Sequence, residues 1–155
     1  MREPDFDITV AHRWFAAHCF NSAWDLIDKA NRTPEEDERM LRLSLASTYH
    51  WTQRADCTNT SMSIGYWQTS RIYVLLKQPE NARRYGHLCL AVSQNADVEP
   101  FYRAFAFEAL ARTEALAGNR ELAAQYVAEG RRFAAEVVDA DEQKAALADL
   151  ATVPV

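Results

Sequence analysis

The sequence predicts an all-α fold of antiparallel helix pairs, about seven helices in all, and three observations predict it. Apolar residues recur at helical spacing through most of the 155 residues. No segment alternates apolar and polar residues with period two over a useful length, so no strand is expected. Pro34, Pro79 and Pro100 each stand where a helix would begin, and four glycines are too few for the tight turns of an all-β domain. The length suits one domain, 1–155, with enough material to bury a core.

The first helix is expected to start near Asp7 or Thr9, either able to cap it, and to run to about Ala30. Phe15, Cys19, Ala23, Leu26 and Ile27 form its apolar stripe, and Trp14 and Trp24 widen it. Thr33-Pro34-Glu35-Glu36 is a helix start in which Glu36 closes a capping box and the acidic run to Glu38 suits the helix dipole. That second helix carries Met40, Leu43, Ala46 and Tyr49-His50-Trp51. A polar stretch from Asp56 to Ser63 reads as a connection, and a third helix is expected from about Ser63 to Lys77. Pro79 opens the fourth, which places Ala82, Tyr85, Cys89 and Val92 on one face. After a loop from Ser93 to Glu99, Pro100 opens the fifth, and Gly118-Asn119 is a turn. The sixth has the cleanest stripe, Leu122, Ala123, Tyr126, Val127, Phe133, Ala134 and Val137. Asp141 is expected to cap a last short helix that ends near Ala151.

Three helices share a small signature: Ala46-x-x-Tyr49, Ala82-x-x-Tyr85 and Ala123-x-x-Tyr126. The intervals between them fall in the range of helical-hairpin repeats. The segment 104–137 goes further. Phe107, Leu110 and Ala111 in a first helix, Gly118-Asn119 at the turn, and Ala123, Val127 and Gly130 in a second helix resemble a tetratricopeptide repeat. The segment 63–96 matches through Tyr66, Ser70, Tyr73, Ala82 and Cys89, with Lys77 in place of the turn glycine and Gly86 in place of an aromatic. The chain before Thr58 departs further, because the second helix is too long for the standard hairpin. The resemblance implies a right-handed α-α superhelix, with hairpins at about 7–57, 60–96 and 97–138 and a capping helix at about 141–151. It also implies that the first helices of the hairpins line a concave groove, in a family that mostly binds peptides or protein partners.

A net charge of −5 does not suit a nucleic-acid binder. Met1 to Asp5 lead into no apolar run, so no secretory signal is expected, and no uncharged stretch approaches a membrane span. Cys19, Cys57 and Cys89 are odd in number and widely spaced, which suits reduced thiols and a cytoplasmic location.

In the repeat register Trp67 and Glu108 share one groove position, and Arg71 and Arg112, at the same offset as Ala82 and Ala123, share the next. Two guanidiniums on neighbouring first helices offer planar forks of donors to a carboxylate. The plainer reading is an i,i+4 ion pair between Glu108 and Arg112, worth about 0.2–0.5 kcal/mol on a surface. Trp67, Gln68, Arg71, Glu108 and Arg112 are therefore the candidate groove, with Asp25 and His50 as further lining of a possible pocket. The histidines form no HxxxH, HxH or Glu-x-x-His, and His87 and Cys89 diverge by about 200° around a helix, so no metal site is expected. No GxSxG and no Gly-rich phosphate loop is present, so no catalytic residue is assigned and no cofactor is implied. Arg83-Arg84 and Arg131-Arg132 read as solvated surface.

The expected function is a cytoplasmic binding module that takes a protein segment or a small anionic ligand through the faces of helices three and five, with no nucleic-acid or membrane partner. One alternative is an enzyme or sensor with an enclosed polar pocket between helices one, three and five, lined by Asp25, His50, Gln68, Arg71 and Glu108. The other is a homo-oligomer whose groove is filled by a second copy.

Overall fold

A computed structural model describes residues 5–155, and among them all regular structure is helical. Seven helices follow one another: α1 (Ile8–Ile27), α2 (Pro34–Thr52), α3 (Asn59–Leu75), α4 (Pro79–Ser93), α5 (Pro100–Ala117), α6 (Arg120–Ala134) and α7 (Ala140–Ala151). They pair as α1/α2, α3/α4 and α5/α6, the first helices α3 and α5 touch, and α7 packs on α5 and α6. This is a stack of helical hairpins closed by a single helix.

Local chemistry sets most boundaries. Asp7 caps α1 by accepting from the backbone N–H of Thr9 and Val10 at 2.8 and 3.2 Å. That helix stops at Ile27 rather than near Ala30, where Arg32 turns back and donates to the carbonyls of Leu26, Ile27 and Lys29. Thr33 and Glu36 form the expected reciprocal capping box. Two starts differ from the sequence expectation. Helix α3 begins at Asn59, inside the stretch read as a connection, because Thr58 and Ser61 cap each other reciprocally with serine in the role usually taken by glutamate. The cap of α7 is Asp139 rather than Asp141, accepting from the N–H of Asp141 and Glu142.

The second and third hairpins close alike. At the end of α5 the Asn119 N–H reaches back to the Glu114 carbonyl (2.8 Å) around Gly118, whose φ is 85°. One repeat earlier, the Gln78 N–H reaches the Tyr73 carbonyl (2.9 Å) around Lys77, whose φ is 60°. Both are left-handed helix terminations at equivalent positions of the repeat, and the earlier one places a lysine in a conformation that favours glycine.

Close helix approach depends on small residues. Ala82 and Ala123 are fully buried, as the repeat register requires. Ala46 is only half-buried and Tyr49 is exposed, so the first hairpin does not follow that register. There Ser44 and Ser47 are the buried small residues of α2: Ser44 shares a hydrogen bond with Thr69 at 2.8 Å, and Ser47 donates to the Ala16 carbonyl at 2.7 Å. Gly86 leaves its side-chain volume to Leu110. A Cβ on it would lie 2.8 Å from a Leu110 methyl.

Lys77→Gly relieves the left-handed strain. It is expected to raise the stability by about 0.5–1 kcal/mol in urea unfolding, because αL costs a non-glycine residue about 1–2 kcal/mol and glycine's extra chain entropy returns part of that. An unchanged or lowered midpoint would show that the lysine conformation is not strained.

Candidate functional site

The candidate groove residues of α3 and α5 converge on one buried carboxylate. Glu108 is 1% exposed. Its Oε2 accepts from the Trp67 indole N–H at 2.8 Å, and its Oε1 accepts from Arg71 Nη1 at 3.1 Å and from Arg112 Nε. Arg112 also donates through Nη2 to the Asp149 carbonyl (3.0 Å) and to Thr152 Oγ1 (2.5 Å), with the Asp149 carboxylate 3.5 Å away. The repeat offset places both guanidiniums on one side, as equivalent positions of adjacent repeats must be. The carboxylate that such a pair of arginines suits is supplied by the chain itself. With Asp149 the node holds two positive and two negative side chains, so its charges are matched internally.

Trp67 lies between Trp24 of α1 and Phe105 of α5, at ring separations of 5.6 and 5.2 Å. Gln68 is fully buried and donates to the Phe20 carbonyl at 3.1 Å, while its Oε1 has no hydrogen-bond partner among the described residues. Asp25 and His50 are not brought to this cluster. Helix α1 meets α3 through Trp24 and the Phe20 carbonyl, which turns Asp25 outward into solvent. His50 lies near the end of α2, its Nδ1 2.8 Å from that of His12 and its ring stacked on Phe15 at 5.1 Å. Burial and the neighbouring His12 hold the His50 pKa below the ordinary histidine range.

Beside the node runs a row of cavities. One, of about 260 Å³, lies between α1, the end of α2 and α3, with Ala17, Phe20, Trp51 and Ile64 in its wall. The next, of about 220 Å³, lies between α3 and α5 and is lined by Ser63, Ile64, Trp67, Phe101, Tyr102 and Phe105. A wider basin of about 660 Å³ lies between the start of α5 and the start of α7. Ile64 lines both of the first two and Phe101 both of the last two, so the three lie side by side. The aromatics Phe101, Tyr102 and Phe105 read as core from composition, and nothing local singles out Ile64. The repeat register carries a signal that finds two of them, since Ile64 and Phe105 stand at equivalent positions, one turn before Trp67 and Glu108.

A second buried carboxylate corrects the reading of Arg83 as solvated surface. Arg83 of α4 grips Glu114 of α5 with two hydrogen bonds, Nε at 2.6 Å and Nη2 at 3.0 Å, and Asn119 adds a third at 2.6 Å. Glu114 is 2% exposed. The Arg83 hydrogen bond holds its carboxyl below the ordinary glutamate range, and burial opposes that only in part. Arg84, Arg131 and Arg132 are exposed, the last paired with Glu129 and Glu136.

Cys19, Cys57 and Cys89 are free thiols, and burial pushes Cys89 up to about 11. Among the described residues no helix is long and apolar enough to cross a membrane, and no group of three His, Cys, Asp or Glu side chains is arranged to hold a metal ion. The chain is an all-α stack of helical hairpins with a row of adjacent cavities beside α3 and α5. Comparison with family models, curated proteins and solved structures returns no match to this chain.

Because the folded pKa of Glu114 lies below its unfolded value, its stabilisation is present above the ordinary glutamate range and is lost as pH falls through the folded pKa. Glu114→Gln is therefore expected to cost about 2–3 kcal/mol at neutral pH and to flatten the acid limb of the stability profile. An acid limb of unchanged steepness would show that Arg83 does not depend on the ionised carboxylate.

Proposed function

We propose that the chain is a tetratricopeptide-repeat-like binding module that holds an extended protein segment along the first-helix groove. One observation carries this reading: two apolar cavities of side-chain size adjoin at Ile64, on the faces of α1, α3 and α5. A row of pockets at helix spacing suits successive side chains of a peptide better than a compact ligand. A small anion is the poorer fit, because Arg71 and Arg112 already hold Glu108, and no Lys or Arg lines any of the three cavities among the described residues. That lining also argues against a nucleic-acid partner. The free thiols suit a reducing, cytoplasmic setting.

A second reading, self-association, is favoured by a different place. Trp14, Phe15 and Tyr49 stay exposed around the His12–His50 pair on the α1/α2 edge. Sedimentation at rising concentration separates the two readings, since a monomer leaves that edge without a role in self-association.

Ile64→Arg places a charge where the two apolar cavities meet. Peptides selected from an array by the wild-type chain are expected to lose at least about tenfold in affinity for this variant, with the melting midpoint little changed. Equal binding to both would remove the groove as the peptide site.

A further inference from the structure

The groove reading leaves the third cavity unexplained, and its chemistry differs from that of the other two. Glu99, Glu136, Asp139 and Glu142 line it together with Phe101 and Val138, which is fully exposed. Arg132 pairs with Glu136 at 3.3 Å, and among the described residues no other Lys or Arg forms an ion pair with these four carboxylates. The N-termini of α5 and α7 open at the basin, each worth about half a positive charge, so the basin keeps a net charge of about −2. Two of these carboxylates also act on Tyr102, a wall of the neighbouring apolar cavity. Burial, and then Glu99 and Glu142, raise the Tyr102 pKa.

Resting on the peptide reading of the same groove, we infer that the bound segment is an apolar-then-basic one. A large apolar side chain fills the cavity between α3 and α5, and a lysine or arginine beyond it crosses Phe101 into the acidic basin. A side chain fits the basin better than a hydrated metal ion. Asp139 already accepts from two backbone N–H groups, and Phe101, Val137 and Val138 offer apolar surface that the alkyl stem of a lysine or arginine covers. The cavity and the basin lie on either side of the start of α5, and neighbouring packed helices lie about 8–10 Å apart. An extended polyproline-II segment rises about 3.1 Å per residue with three residues per turn, so the apolar and basic side chains are expected three positions apart on one face. The net charge of the whole chain, −5, favours encounter with such a segment.

A positional-scanning peptide array probed with the full chain tests this, followed by fluorescence anisotropy on the peptide it selects. The array is expected to enrich Leu, Ile or Phe at one position and Lys or Arg three positions away. Replacing that basic residue with norleucine is expected to weaken binding about two- to fivefold, an effect that shrinks as salt is raised. The Glu99→Gln/Glu142→Gln double variant, checked for unchanged helix content by circular dichroism, is expected to bind the basic and norleucine peptides equally. Selected peptides with no basic preference, or a double variant that keeps the preference, overturn the inference while the groove reading stands. Failure of the wild-type chain to bind any peptide on the array overturns both.

Discussion

The buried carboxylate of Glu108 is the constraint on which the groove depends. It sits on α5, accepts from Trp67 and Arg71 of α3, and through Arg112 is tied to the end of α7. One side chain thus connects three successive layers of the stack. A buried carboxylate left without partners would cost several kcal/mol, so the helices can approach only in the arrangement that brings its donors together. The node fixes the rotamer of Trp67, and Trp67 is the wall against which the apolar cavity between α3 and α5 is built. Glu114 plays the same part on the other side of α5, where Arg83 binds it to α4.

On the proposed reading, this arrangement separates holding from binding. The charged groups that the sequence offers as ligand contacts are consumed in tying layers together, and the adjoining cavities are left with apolar walls. A partner side chain entering there, as proposed, would find a preformed slot, so less of its interaction energy would be spent on ordering the protein. The acidic basin at the α7 end breaks the symmetry of the row, and on the proposed reading it would give a bound segment a direction.

Much of the fold was legible because its signals are local. Pro34, Pro79 and Pro100 mark the helix starts, and Gly118 marks a turn. The repeat period made Glu108, Arg71 and Arg112 legible as one cluster, because equivalent positions of adjacent repeats project alike. Other features escaped for physical reasons. The Arg83–Glu114 clamp joins helices of different type at no repeat offset, and an arginine on a polar face gives no sign that its partner is buried. The Ala46 register failed because the longer first hairpin crosses at serines, which satisfy their hydroxyls on neighbouring backbone and threonine. Phe101 and Phe105 are half-buried, and composition cannot distinguish an aromatic that fills a core from one that walls a cavity.

Whether the groove beside Trp67 holds a protein segment is tested most directly by nuclear magnetic resonance of the full chain with the array-selected peptide. The peptide should shift the Trp67 indole N–H, whose hydrogen bond to Glu108 makes it a reporter inside the site, and the Ile64 methyls, while the Trp14 indole on the outer edge stays in place. Shifts confined to Trp14 and Tyr49, with Trp67 and Ile64 unmoved, would contradict it and move recognition to the α1/α2 edge.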